Sequence, residues 1–391
     1  MEPTAVSGRG TSGGHSVPGT PGTHSAAGAP VTHGALGAPG MHGASEASGA
    51  RSGLRTAGVS SARRGGARRR RAPRRVRALL ALLITACVVL PLSAAARPSI
   101  PAPAPAVLPP LTAATLDTAY AANRANAARA ARMAAAHGDR HRADADRALA
   151  AASRRLLAFD GRGSGRVVEV FGDLARAERV AVLVPGSDTS LDTYGRFRAT
   201  ATALHHRLTA EDGRAAGRVA VVAWLGYDTP GTVSTAVLTP GRADQAAPVL
   251  NEFLRGLYAV TGRDTRVSLL CHSYGTVVCA RAAVRGGPPV ADIALLGSPG
   301  TGAADAAALH TPARIWAARG GDDWVARVPH AEADLFGTTV GFGTDPVSPA
   351  FGARVFAAGD GGHSDYFDPG SVPLANLARI VLGQTSEVTR A

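Results

Sequence analysis

The hexapeptide C-H-S-Y-G-T, Cys271 to Thr276, follows an apolar run, R-V-S-L-L, and leads into the small residues V-V-C-A-R-A-A. A serine seated between a strand and a helix is lifted clear of the sheet by a strained backbone turn. Its hydroxyl becomes a nucleophile only when a base takes the proton and a carboxylate orients that base. Such a turn needs small residues two before and two after the serine. Gly275 fits, and Cys271 stands where glycine is usual. Alone the motif is a weak signal. Acyl transfer through a covalent serine intermediate therefore depends on the partners found along the chain.

For an elbow serine the expected chain order is serine, acid, histidine. Downstream, R-I-W-A-A-R-G ends in G-D-D-W-V, which offers Asp322 and Asp323 just past a strand-like run. Asp323 has the better spacing, with Gly320 three before it and the apolar pair Trp324-Val325 after it. The glycine-rich G-D-G-G-H-S-D-Y-F then carries His363. His310 precedes a strand-like run and His330 follows the acid too closely, so His363 is the expected base. The oxyanion of acyl transfer needs two donors. One is the N–H of Tyr274, and the other is the N–H of Ser187 in V-P-G-S-D-T-S, where Gly186 lets the backbone come close. An ordinary strand-to-helix turn would use the same Pro-Gly-Ser-Asp. Tyr227 and Asp228, in W-L-G-Y-D-T-P, are placed either to touch substrate or to cap a loop. No cluster of metal-ligand residues appears, so neither metal nor cofactor is expected.

These residues need a scaffold, and the chain from Leu156 onward supplies its pattern. Eight short runs rich in Val, Leu and Ile recur: L-L-A-F, R-V-V-E-V-F, R-V-A-V-L-V, R-V-A-V-V-A-W, R-V-S-L-L-C, A-D-I-A-L-L-G, R-I-W-A-A and R-V-F-A-A. Several are continuously apolar, as strands covered on both faces must be. Separated by helix-like segments, they predict an α/β domain with a mostly parallel sheet and helices on both faces. The first two runs, joined by G-R-G-S-G, predict a hairpin on the antiparallel edge. In such sheets functional groups gather beyond the carboxyl ends of the strands, and each candidate above falls just after one of the runs.

Together V-A-V-L-V-P-G, V-V-A-W-L-G-Y-D-T-P, L-C-H-S-Y-G-T-V-V, A-L-L-G-S-P-G and G-H-S-D-Y-F resemble a bacterial α/β-hydrolase family long listed as a domain of unknown function. The resemblance covers about residues 112–385. It implies the α/β-hydrolase fold and a serine triad of Ser273, Asp323 and His363, and it implies no substrate.

The amino-terminal third has a different character. Of the formal net charge of +13, residues 1–77 carry most, with twelve arginines and two glutamates. The remainder holds thirty arginines against twenty-seven acids, so the domain is near neutral and no nucleic-acid partner is expected. Residues 1–62, with a weak repeat marked by His15, His24, His33 and His42, read as a disordered tail. Met41 is an alternative start. Residues 63–96 combine an arginine-rich flank, an apolar run from Ala78 and a small-residue end at Ala96. That is the grammar of a cleaved secretory signal or, at nineteen residues (78–96), of a retained membrane anchor. Either puts the body of the protein outside the cytoplasm. Residues 97–111 read as a stiff proline spacer, residues 112–158 as two helices broken at His137-Gly138-Asp139, and residues 159–385 as the α/β domain.

Cys271 and Cys279, a strand end and the helix beside it, form either a disulfide or a pair of buried thiols; a bridge requires Cα atoms within about 7 Å. The stretch 336–352 reads as a mobile flap beside a shallow, open cleft suited to small esters. The functional reading is a secreted or envelope-associated serine esterase acting on a small-molecule ester. The alternative is a non-catalytic envelope protein that keeps the scaffold for binding.

Overall fold

The computed structural model describes residues 99–211, 217–335 and 338–391. The tail, the basic flank and the apolar run 78–96 lie outside the described residues. Among the described residues no helix is long and apolar enough to cross a membrane.

Residues 99–112 form no helix or strand and run against the domain. Ala102 and Leu111 pack on its core, and Asn126 Nδ2 donates to the Ala104 carbonyl at 3.0 Å. The expected spacer is thus docked along the domain. Helix α1 (Leu116–His137) stops at Gly138, whose left-handed φ of 92° ends the turn. Asp139 then caps α2 (Arg140–Leu149) by accepting from the Arg142 N–H. The break predicted at His137-Gly138-Asp139 is therefore a C-cap followed directly by an N-cap.

Eight strands make the main sheet: β1 (Leu156–Asp160), β2 (Arg166–Gly172), β3 (Arg179–Val184), β4 (Val219–Leu225), β5 (Arg266–His272), β6 (Asp292–Leu296), β7 (Arg314–Ala318) and β10 (Arg354–Val355). Their order is β1-β2-β4-β3-β5-β6-β7-β10. β1 and β2 pair antiparallel, β2 joins β4 antiparallel, and every later pairing is parallel, as the edge hairpin and buried runs predict. A separate two-stranded hairpin, β8 (Glu332–Leu335) with β9 (Thr338–Gly341), was not legible in the sequence.

Side chains alternate between the two faces with period two. On β4, Ala220, Val222 and Trp224 join the core beneath α4 (Gly241–Thr261) and α5 (Gly275–Val284). Val219, Val221, Ala223 and Leu225 join the core under α3 (Tyr194–Glu211) and α6 (Val372–Leu382). Every residue of β4 is buried, which explains why it reads as an unbroken apolar run.

Of the stretch 336–352 expected to be a mobile flap, residues 336–337 lie outside the described residues, and the part from Phe342 to Phe351 is anchored. Phe342 and Phe351 are buried, and Asp345 accepts from Arg319 Nη1 at 2.6 Å. The chain returns to the sheet through these anchors, and the short strand β10 follows.

Candidate active site

From β3 the chain steps to β4 on one side and later to β5 on the other, so the connections reverse between β3 and β5. A crevice opens at such a point beyond the carboxyl ends of the strands. Ser273 sits there, immediately after β5, with φ of 55°, one of three non-glycine residues with positive φ among those described. That conformation is strained for a side-chain-bearing residue, and its neighbours hold it. Its N–H donates to the Leu296 carbonyl on β6 at 2.9 Å, and Thr276 Oγ1 donates to the Ser273 carbonyl at 2.7 Å.

Two close approaches explain the small residues around the turn. A Cβ at Gly275 would meet the Val184 carbonyl oxygen at 2.5 Å, and one at Gly186 would meet Ser273 Cβ at 2.5 Å. Glycine at 186 therefore lets the loop after β3 lie against the serine. Cys271 is joined to Cys279 by a disulfide, with Cα atoms 6.5 Å apart. The bridge pins the end of β5 to α5 across the elbow.

The acid and the histidine meet as the spacing predicts. Asp323 follows β7 and His363 follows β10. His363 Nδ1–H donates to Asp323 Oδ1 at 2.9 Å, which leaves Nε2 free to accept. Asp323 is buried and also accepts from the Tyr366 hydroxyl at 2.5 Å and from the Val325 N–H at 2.9 Å. Burial alone would raise its pKa. The hydrogen bonds from His363, Tyr366 and the Val325 N–H outweigh it and hold the carboxyl below the usual range. Asp322 makes no such contact and lies exposed.

Two further residues belong to this cluster and were missed in the sequence. Tyr366 also accepts from the Gly320 N–H at 3.1 Å, so it ties the histidine loop to the acid loop. His272, next to the serine, donates from Nε2 to the His363 carbonyl at 2.6 Å, and the two rings lie 4.7 Å apart. Desolvation, reinforced by the positive potential of His363, lowers its pKa to about 4, so it is neutral and keeps that donor proton. Trp324 covers the other side of His363, with ring centroids 4.7 Å apart. The motif G-H-S-D-Y-F contained Tyr366, but nothing in its type distinguished a structural partner from a core aromatic.

Ser273, His363, Ser187 and Tyr274 line one cavity of about 1100 Å³. Ser273 Oγ makes no hydrogen bond among the described residues; such contacts commonly tighten only when substrate is bound. Nor does the backbone N–H of Ser187 or of Tyr274 donate to a carbonyl among the described residues. The Ser187 loop is braced by the Asp188 N–H to Pro230 O at 3.0 Å and by Asp188 Oδ1, which accepts from the Thr232 N–H at 3.0 Å. Ser187 Oγ is buried without a partner among the described residues.

Tyr227 and Asp228 take the other of their two predicted roles. Tyr227 is buried, stacks on Trp224 at 5.9 Å, and donates to the Pro185 carbonyl at 2.7 Å. It supports the Ser187 loop from beneath and does not reach the cavity. Asp228 accepts from Ser164 Oγ at 2.7 Å and lies 3.9 Å from Arg242, away from the cavity wall. The cavity is also larger and more apolar than the shallow cleft expected. Phe197, Leu238, Val328, Phe342 and Phe367 are among its walls.

The family model described as alpha/beta hydrolase matches residues 160–333. The described domain has the α/β-hydrolase fold. The match takes in Ser273 and Asp323 and ends before His363. An uncharacterized protein of Mycobacterium tuberculosis is 31% identical over 255 residues, covering 58% of this chain and 39% of the relative. An uncharacterized protein of Mycobacterium bovis is 36% identical over 136 residues, covering 33% of this chain and 50% of the relative. The chain thus spans half or less of the length of these relatives. Among solved structures, the esterase PE8 aligns with a TM-score of 0.36 at 17% identity, over 55% of this chain and 96% of its own. A serine hydrolase without lid from Xanthomonas campestris aligns with a TM-score of 0.37 at 18% identity, over 60% of this chain and 95% of its own.

Proposed function

We propose that this α/β-hydrolase is a serine esterase that works through an acyl-enzyme. The observation that carries the reading is the Asp323–His363 pair, bonded at 2.9 Å and facing the cavity that the strained Ser273 lines. His363 Nε2 takes the Ser273 proton as Oγ attacks the ester carbonyl, and the N–H groups of Ser187 and Tyr274 receive the oxyanion. The imidazolium then protonates the leaving alcohol. Water, deprotonated by the same nitrogen, releases the acid and restores Ser273. Asp323 fixes the tautomer and stabilises the imidazolium, with Tyr366 and the Val325 N–H keeping the carboxylate in place.

The reading includes a location outside the cytoplasm, supported by the arginine-rich flank and apolar run of residues 63–96. Cell fractionation with an antibody to the domain tests it, and purely cytosolic protein would refute it. For the chemistry, a fluorophosphonate probe labels the native protein at Ser273. Ser273→Ala removes the label and lowers p-nitrophenyl butyrate hydrolysis by at least about 10³-fold with an unchanged circular dichroism spectrum. Folded wild-type protein that takes up no probe would overturn the assignment in favour of a binding role.

A further inference from the structure

A second groove of about 580 Å³ lies beside the first cavity, between α3 and the start of α6, with Leu374 and Pro369 on one wall and Arg198, His206 and Arg207 along its rim. The two spaces share Ala199, Ala203 and Pro369. Arg196, Ala199, Thr200 and Ala203 are spaced along one face of α3 and all border the first cavity. Alanine at 199 and 203 keeps the helix surface low where the two spaces meet. The two spaces therefore adjoin across the two alanines and Pro369, the first holding Ser273, Phe197 and Phe367 and the second Leu374.

From this adjacency we propose that the site takes esters of long linear acyl chains, about ten carbons or more, with the chain laid along α3 toward the second groove. The proposal rests on the serine esterase reading. Three features support it. The first cavity, at about 1100 Å³, exceeds what a small ester fills, since sites for whole drug-sized ligands run from about 300 to 1000 Å³. Its wall from Phe197 to Pro369 offers mainly carbon, and such a surface recognises methylenes and little else. The acyl half stays bonded to Ser273 until water arrives, whereas the alcohol departs, so a large cavity that opens on the serine serves the half that must be held. The reaction is balanced by water alone: the ester C–O bond breaks, the acyl–Oγ bond forms and is hydrolysed, and the products are a fatty acid and an alcohol.

The full-length protein is assayed with p-nitrophenyl esters from C2 to C16 and with two fluorophosphonate probes, one bearing an ethyl and one a dodecyl chain. The expected kcat/KM rises with chain length up to C10 or beyond, by up to about fourfold per methylene, and the dodecyl probe labels Ser273 at least tenfold faster. Ala203→Trp and, separately, Ala199→Trp fill the junction and lower the C12-to-C4 ratio of kcat/KM at least tenfold. Because both rates come from one preparation, the ratio is insensitive to the fraction folded. An optimum at C2 to C4, equal labelling by the two probes, or a ratio unmoved by both tryptophans would overturn the long-acyl proposal while leaving the esterase reading intact. Absence of labelling by either probe would overturn both.

Discussion

Two buried aspartates sit at opposite ends of the same parallel sheet, and their surroundings are built alike. At the carboxyl ends of the strands, Asp323 accepts from His363, from the Tyr366 hydroxyl and from the Val325 N–H. At the amino end of β6, Asp292 accepts from Arg314 through Nε at 2.7 Å and Nη2 at 2.9 Å, and from Trp316 Nε1 at 2.9 Å. Each carboxylate thus has a cationic or potentially cationic partner and an aromatic donor. The difference lies in what the partner can do. Arginine keeps its protons at any working pH, so Asp292 and Arg314 form a brace. Histidine can take a proton and return it, and His363 opens on a cavity that a serine also lines. Burial and hydrogen bonding of a carboxylate therefore do not mark a site. A partner that can exchange protons, at the end of the sheet where the loops converge, does.

Substituting each aspartate separates the two roles. Asp323→Asn should lower kcat by about 10⁴-fold, because the amide can no longer hold the Nδ1–H tautomer. Its melting temperature carries a second signature. The native pKa of Asp323 is lowered, so its stabilising contribution is present above the ordinary carboxylate range and lost as the pH falls through the native value. The stability gap between wild type and Asp323→Asn should accordingly shrink below about pH 4, as read by thermal melts from pH 3 to 8. Asp292→Ala should behave in the opposite way, costing about 3 kcal/mol in urea unfolding, with kcat within about twofold of wild type. If it abolished turnover without loss of stability, the contrast between brace and site would fail.

Tyr366→Phe probes the aromatic donor on the catalytic side. Loss of the hydrogen bond to the charged Asp323, with that from the Gly320 N–H, should cost at least about 1.5–3 kcal/mol of stability and lower kcat roughly tenfold at unchanged KM. The smallest effect belongs to a third buried aspartate, Asp146 on α2, whose Oδ1 lacks a partner among the described residues. Burial raises its pKa to about 7, so ionising it in the native state costs stability as the pH climbs from about 4 to about 7. Asp146→Asn should gain a few degrees in melting temperature at pH 8 relative to its difference from wild type at pH 4. A pH-independent difference would argue against the unpaired oxygen.

The same contrast explains what could be read from the residues alone. The strands were legible because burial on two faces writes itself as unbroken apolar runs, as in β4. Ser273, Asp323 and His363 could be singled out because each directly follows such a run and they come in the chain order expected of an elbow serine. The β8–β9 hairpin was hidden because its strands, E-A-D-L and T-T-V-G, are only four residues each and no familiar turn pair joins them. Tyr227 read equally well as a substrate contact or a loop cap, since only the third dimension turns its ring under the β3 loop. His272 and Tyr366 act through a backbone carbonyl and a carboxylate from distant segments, and no local spacing encodes that.

The covalent link between Cys271 and Cys279 closes a ring of chain around the nucleophile, with one end in the middle of the sheet and the other in a buried helix. A central strand cannot detach while its neighbours on both sides remain paired. Amide protons from Ser273 to Thr276 should for that reason exchange with deuterium only through whole-domain unfolding, and a thiol reductant should convert them to faster, local exchange.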